Sequence, residues 1–86
     1  MPEISRFFGM VITMYSNDHA PPHFHVRYGD DDATIDIASL AILRGRLSPR
    51  VRALVTEWAA LHQHELVINW QRIQRDELPL RIAPLE

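Results

Sequence analysis

The chain has 86 residues, which is enough for one domain over residues 1–86 with a modest hydrophobic core. Its formal net charge of −2 argues against a generic surface for binding polyanions. The absence of cysteine excludes disulfides and thiolate metal sites. No apolar run approaches the roughly 18 residues of a membrane span, so we expect a cytoplasmic protein.

The N-terminal third predicts one strand followed by a stiff loop. Every second residue of the segment 7–15 is a large apolar one, at Phe8, Met10, Ile12 and Met14. This period of two indicates a β-strand. Pro21 and Pro22 lack the backbone donor that a sheet requires. Residues 16–22 are therefore predicted to form a loop, and a second strand is predicted to begin at His23.

The segment that follows indicates a β-hairpin with one apolar face. Residues 29–32 are a glycine and three aspartates, which is a turn signal. A hairpin symmetric about this turn places His25 opposite Asp36. It gathers the apolar residues of both strands on one face, at Phe24, Val26, Tyr28, Ala33, Ile35 and Ile37. His23, His25 and Arg27 then share the other face, which we expect to be open to solvent or to a partner.

The C-terminal half predicts helix. A short further strand over residues 40–43 and a turn at Gly45 precede it. Ser48 and Pro49 are the capping hydroxyl and first-turn proline of a helix start. Apolar residues then recur at helical spacing, at Val51, Leu54, Val55, Trp58 and Leu61. After Leu61 the apolar stripe continues at Leu66, Trp70 and Ile73, on a face rotated by roughly 80° around the helix axis. Either one long helix bends near residues 62–65, or two helices meet there.

Together these patterns predict an α+β fold. A small antiparallel sheet of three to four strands is covered on one face, that of Phe24, by one long or bent C-terminal helix. The rotated apolar stripe turns away from this packing. We therefore predict that Leu66, Trp70 and Ile73 form a partner-binding surface, since tryptophan is enriched at interfaces.

The histidines suggest a metal site. His23 and His25 are two residues apart on a predicted strand, so both imidazoles lie on one face and can bind one ion such as zinc or nickel. A tight site needs a third ligand, for which His19 is the candidate. His19 reaches the ion only if a turn or a cis bond at Pro21 or Pro22 folds the loop back.

The same residues also suit acid–base catalysis. His23 and His25 could serve as base and acid in phosphodiester cleavage, with Arg27 stabilising the developing charge and Asp36 orienting His25. Both interpretations expect the histidines to contribute little to stability. A structural alternative stays open, in which the prolines and histidines form a rigid hydrogen-bonded loop or a partner-binding face.

A second polar group lies on the predicted helix. His62, Glu65 and Asn69 fall on one side of it, within the apolar stripe. A buried polar group needs a hydrogen-bond partner. We predict structural roles, with His62 paired to Glu65 and Asn69 bound to the backbone of a loop.

Three segments resemble a known prokaryotic family, the domain of unknown function 4160. They are residues 1–9, the run Asp18-His19-Ala20-Pro21-Pro22-His23-Phe24-His25, and the run Glu65-Leu66-Val67-Ile68-Asn69-Trp70. The resemblance implies a small cytoplasmic protein without an established activity. It also implies genes encoded beside another small protein, an arrangement similar to toxin–antitoxin pairs. The positions that match are His19, His23, His25, Glu65, Asn69 and Trp70.

Two functional hypotheses follow. The leading one is the partner-binding component of a toxin–antitoxin-like pair, with a toxin-like action on RNA through the histidine face. Its partner would be a small cognate protein or a second copy of the chain. The alternative is a histidine-ligated metal-binding protein or metallohydrolase. Both an enzymatic and a non-enzymatic role stay open.

Overall fold

The computed structural model describes residues 2–16 and 18–86. Met1 and Asn17, which fall in the first segment of resemblance and in the predicted loop 16–22, lie outside the described residues. Five strands form one antiparallel sheet in chain order: β1 Glu3–Phe7, β2 Met10–Thr13, β3 His23–Tyr28, β4 Asp31–Asp36 and β5 Ile42–Gly45. Two helices follow, α1 Pro49–Leu61 and α2 Gln63–Gln74. The α+β class with an antiparallel sheet is confirmed, whereas the predicted three to four strands and single helix are wrong.

The predicted strand over residues 7–15 spans the end of β1, a turn and β2, which together belong to a hairpin over residues 3–13. Its turn is Phe8-Gly9, with φ of +49° and +82°, which fits the primed turns that join twisted strands. The preceding strand, β1, contains a bulge between Glu3 and Ser5. A bulge breaks the alternation of side chains, and β1 was therefore missing from the sequence-based prediction.

The hairpin of β3 and β4 has a register two residues away from the predicted one. Its turn is only Gly29-Asp30, so Asp36 pairs with His23, and Thr34 pairs with His25. A shift of two residues preserves the side-chain faces, whereas a shift of one would exchange them. The predicted apolar face is therefore correct, while the predicted pairing of His25 with Asp36 is wrong.

The apolar face of the sheet packs under the helices. The fully buried core includes Ile12, Phe24, Ile35, Val55 and Trp58. Helix α1 begins as predicted, because the Ser48 hydroxyl accepts a hydrogen bond from the N–H of Val51. His62 has φ −123° and ψ 22°, which are not helical angles, and it separates α1 from α2. In the described part of the chain, neither helix is long and apolar enough to cross a bilayer.

The break at His62 turns the second apolar stripe back onto the protein. Leu66, Trp70 and Ile73 are 0%, 8% and 2% exposed. The expectation that these residues form an open partner-binding surface is therefore corrected, because their side chains belong to the chain's own core. Partner binding by the protein stays a prediction.

The C-terminal tail is held against the rest of the fold. Asn69 on α2 binds the backbone of Leu80 twice, since its Nδ2 donates to the Leu80 carbonyl and its Oδ1 accepts from the Leu80 N–H, both at 2.8 Å. The N–H of Ile82 donates to the carbonyl of Ile4 in β1. The predicted pairs of Asn69 with loop backbone and of His62 with Glu65 are both confirmed.

Candidate metal centre

Three potential metal ligands meet where the loop after β2 returns to the sheet. Asp18 lies in that loop, while His23 and His25 extend from one face of β3. One ligand atom from each residue lies within 4.8 Å of the other two. The end of the loop is fixed to β4 by a hydrogen bond of 3.0 Å from the Ile37 N–H to the Pro22 carbonyl. The peptide bond between Ala20 and Pro21 is cis.

The two imidazoles share one carboxylate oxygen. Oδ2 of Asp18 lies 3.0 Å from Nε2 of His23 and 2.7 Å from Nε2 of His25. The rings themselves are 5.2 Å apart and nearly perpendicular. All three side chains are partly sheltered, with 24%, 11% and 27% of their surfaces exposed in the order Asp18, His23, His25.

Neighbouring groups fix the orientation of both rings. Nδ1 of His23 lies 2.7 Å from the Pro21 carbonyl oxygen, and Trp70 packs against the same ring at 5.2 Å. Nδ1 of His25 lies 3.4 Å from the Thr34 hydroxyl. Tyr15 meets the His25 ring edge-on at 4.6 Å. Such contacts to the outer nitrogen orient metal-binding histidines in other proteins.

The contacts of His23 identify an electrostatic mismatch that a cation would remove. A carbonyl oxygen only accepts hydrogen bonds, so Nδ1 of His23 carries a proton and donates a hydrogen bond to the Pro21 carbonyl. In a neutral imidazole, Nε2 is then a bare acceptor, and it faces the acceptor oxygen of Asp18. Either a second proton on the ring or a metal ion between Nε2 and Oδ2 resolves this contact. The donor set, two imidazoles and one carboxylate, fits a divalent transition metal.

The third potential ligand in the cluster is Asp18 and not the predicted His19. His19 is exposed and lies at the rim of the cleft beside the cluster. The cluster found among the described residues holds Asp18, His23 and His25. The sequence contained part of the signal, since Asp18 directly precedes His19 and carboxylates are common zinc ligands. The approach of Asp18 to the two histidines depends on how the loop returns to the sheet.

Asp36 does not orient His25 in the predicted way, whereas Arg27 shares a cleft with His25. The Asp36 carboxylate accepts hydrogen bonds from the N–H and the hydroxyl of Ser39, at 2.7 and 2.8 Å, and these bonds lower its pKa. Its role is to stabilise the turn after β4. Arg27 is exposed and lies opposite Asp32 on β4, and together with His25 it lines a second cleft of about 170 Å³. Catalysis by His23 and His25 stays a prediction.

The histidine face is less open than expected. His23 is 9% exposed, because Trp70 of α2 and the loop cover it. His25 opens into a cleft of about 440 Å³, with Asp18, Thr34 and Arg44 also in its lining. A larger cleft of about 550 Å³ lies beside α1, around Leu47 and Arg52, and its lining contains no histidine.

The fold and the cluster define a small α+β protein with a two-histidine, one-carboxylate cluster beside an open cleft. The chain belongs to the family described as "Domain of unknown function (DUF4160)", whose profile matches residues 9–71. This match confirms the resemblance found in the sequence, and it includes all three residues of the cluster. No curated protein and no solved structure matches the chain.

Proposed function

We propose that the protein binds one divalent transition-metal ion, zinc or nickel, through Asp18, His23 and His25. The observation that supports this most directly is the approach of Oδ2 of Asp18 to within 3.0 Å of Nε2 of His23, the ring nitrogen that carries no proton when His23 is neutral. A cation between these atoms converts an unfavourable contact into two coordinate bonds. The Pro21 carbonyl already holds the outer nitrogen of His23 in the orientation that such a bond requires.

The spacing of the donor atoms supports the same proposal. Bonds of about 2.0–2.2 Å place the ligands of a tetrahedral zinc ion roughly 3.3 Å apart. The observed distances from Oδ2 of Asp18 are 3.0 Å to His23 and 2.7 Å to His25. Lengthening these two contacts by about 0.3 and 0.6 Å would bring them to this spacing.

Three protein ligands leave at least one coordination position for water or substrate. This arrangement distinguishes catalytic zinc centres from structural ones, which have four protein ligands. A metal bound here would supply Lewis-acid activation of water or of a substrate oxygen. Asp18, His23 and His25 all line the cleft of about 440 Å³, which gives a substrate access to the cluster. A metal-dependent hydrolase is the activity that this arrangement supports best.

Elemental analysis of protein purified without a histidine tag tests the proposal, together with zinc and nickel titrations by calorimetry. We expect about one ion per chain. His23→Ala, His25→Ala and Asp18→Asn should each weaken binding by more than the about 10- to 100-fold typical of changes outside the ligand set. His19→Ala distinguishes this ligand set from the one predicted from the sequence, in which His19 was the third ligand. If Asp18 is the third ligand, the His19→Ala variant should bind the metal as tightly as the wild type. His64→Ala, on the exposed surface of α2, is the matched control.

Two results would contradict the metal centre. The first is a wild-type protein that binds neither ion at micromolar concentration. The second is an Asp18→Asn variant that binds as tightly as the wild type, since the carboxylate would then be no ligand.

A protein partner is a second proposal, supported by exposed apolar side chains in the last third of the chain. Leu61, Val67, Leu78 and Leu80 are 69%, 40%, 79% and 55% exposed. The family resemblance implies a small protein encoded beside this one. Co-expression with that protein, followed by size-exclusion chromatography, should show co-elution. The double variant Leu78→Ser, Leu80→Ser should weaken it, and Phe8→Ser, at an exposed turn far along the chain, should not. Separate elution of the two wild-type proteins would contradict this proposal.

A further inference from the structure

Arg44 lies in the same cross-strand row as one of the candidate metal ligands. His25 on β3 pairs with Thr34 on β4, and Thr34 pairs with Arg44 on β5. Residues paired directly across neighbouring strands project from the same face of the sheet. The strands are about 4.8 Å apart, so the Arg44 backbone is roughly 10 Å from that of His25. An arginine side chain can span most of this distance, and Arg44 lines the cleft together with His25.

The guanidinium of Arg44 is available for a ligand. Within residues 2–16 and 18–86, none of the ion pairs involves Arg44. Arginine keeps its charge throughout the working range of pH and presents a planar fork of donors that matches the oxygens of phosphate or carboxylate. Arg44 therefore adds an anion-binding group to the cleft that the metal centre faces.

The local shape of β5 favours a site at this position. On β4, Ile35 and Thr34 are adjacent, but their partners on β5, Ile42 and Arg44, are two residues apart. Strand β5 therefore contains one extra residue at this point. Such bulges redirect side chains and are common beside active sites. Here the extra residue is Leu43, which is half exposed and supplies an apolar wall to the cleft.

We propose that this cleft binds a phosphate monoester, with Arg44 and the metal ion holding its oxygens; this inference rests on the metal centre proposed above. The charges identify the class of ligand. A divalent ion and Arg44 together outweigh the Asp18 carboxylate by two positive charges when both histidines are neutral. A phosphate monoester has a charge of about −1.5 to −2 at pH 7 and neutralises this excess, whereas a carboxylate or a phosphodiester neutralises half of it.

Calorimetry with small probes tests this inference on the full chain loaded with one equivalent of zinc. Methyl phosphate represents the monoester, dimethyl phosphate the singly charged diester, and acetate the carboxylate. We expect methyl phosphate to bind at least about tenfold more tightly than either comparator, which corresponds to ~1.4 kcal/mol. Arg44→Ala should weaken methyl phosphate binding by at least about tenfold, and Arg44→Lys should restore only part of it. Arg50→Ala, an exposed arginine on α1, removes the same charge away from the cleft and should bind as the wild type does.

The outcomes separate this inference from the metal proposal. Zinc titration of Arg44→Ala should match the wild type, because Arg44 is not a ligand. If the wild type binds zinc but no methyl phosphate at millimolar concentration, the phosphate inference is wrong and the metal centre stands. If Arg44→Ala binds methyl phosphate like the wild type, or if acetate binds equally well, the inference is also wrong. If the wild type binds no zinc, both proposals fail.

Discussion

The imidazole of His23 donates a hydrogen bond from Nδ1 to the carbonyl oxygen of Pro21 over 2.7 Å. This bond joins the first residue of β3 to the loop that precedes it. It fixes which nitrogen of His23 holds the proton, because the carbonyl can only accept. The other nitrogen is thereby directed at Asp18. One residue therefore both closes the loop and presents a ligand atom.

The two histidines should differ in their contributions to stability. His23 is buried against Trp70 and bonded to Pro21, so truncation leaves a cavity and a carbonyl without its partner. We expect His23→Ala to lower the free energy of unfolding by about 1–3 kcal/mol. His25 is more exposed, and His25→Ala should lower it by less than half as much. Urea denaturation in the presence of a chelator measures both without a contribution from metal.

This expectation replaces the sequence-based one, in which both histidines contributed little. Equal unfolding midpoints for His23→Ala, His25→Ala and the wild type would show that the buried contacts of His23 are not stabilising. A loss confined to His25→Ala would contradict the difference in burial between the two rings.

Gly45 should tolerate no side chain. It ends β5 with φ +80°, and a Cβ atom there would press into the Asp32 carbonyl and lie 2.9 Å from Cα of Ala33. Gly45→Ala therefore combines backbone strain with a clash against β4. Gly29→Ala is the matched control, since Gly29 has φ +60° but nothing within 4 Å of an added Cβ. The control should lose about 1–2 kcal/mol of stability.

Urea denaturation of the two glycine variants tests the role of the clash. We expect Gly45→Ala to lose at least ~1 kcal/mol more than Gly29→Ala, because the β4 backbone cannot move away as a flexible side chain could. Equal losses would mean that strain in φ alone explains both variants.

Asn69→Asp should release the C-terminal tail with almost no change in side-chain size. Asn69 is 1% exposed and both donates to and accepts from the backbone of Leu80. An aspartate presents an oxygen to the Leu80 carbonyl in place of the donor, so two acceptors face each other in a buried position. We expect a loss of at least about 1–3 kcal/mol. Hydrogen exchange at Ile82 should accelerate in the variant, and unchanged protection there would contradict the prediction.

The sequence predicts which face of a strand a side chain occupies better than it predicts which residues pair across neighbouring strands. The alternation around Phe24 and Ile35 placed the apolar face correctly, because the period of a strand is a local property. The pairing of His25 with Asp36 was wrong because any shift by two residues satisfies the same alternation. The short turn at Gly29-Asp30 determines the register, and the acidic run that follows it obscured where the turn ends.

The candidate site depended on contacts that no local pattern encodes. His23 and His25 were predicted from their spacing on one strand. Asp18 was missed because its position depends on how the loop returns to the sheet. Arg44 was missed because its approach to the cleft requires the register of β5 against Thr34, which involves a bulge. The approach of Trp70 to His23 also could not be predicted, because it requires the break between α1 and α2.

The ion pairs of Glu3, which connect β1 to the C-terminal tail, should make the free energy of unfolding depend on pH in the acidic range. The Glu3 carboxylate accepts hydrogen bonds from Arg6 at 2.7 Å and from Arg81 at 2.9 Å. These two cations lower the pKa of Glu3 from its ordinary value of 4.5 to about 2. Because the folded-state pKa is the lower one, the charged carboxylate stabilises the folded state fully above pH 4.5. That contribution declines as the pH falls from 4.5 to about 2.

Glu3→Gln removes the charge and keeps the length of the side chain. Relative to the wild type, this variant should be less stable at pH 7, and the difference should shrink as the pH falls and vanish near pH 2. Melting temperatures measured by circular dichroism across this range test the expectation. Glu57→Gln, at an exposed position on α1, is the matched control and should not reproduce the pH dependence. A constant difference between Glu3→Gln and the wild type from pH 7 to pH 2 would show that the bonds of Glu3 to Arg6 and Arg81 do not depend on its charge.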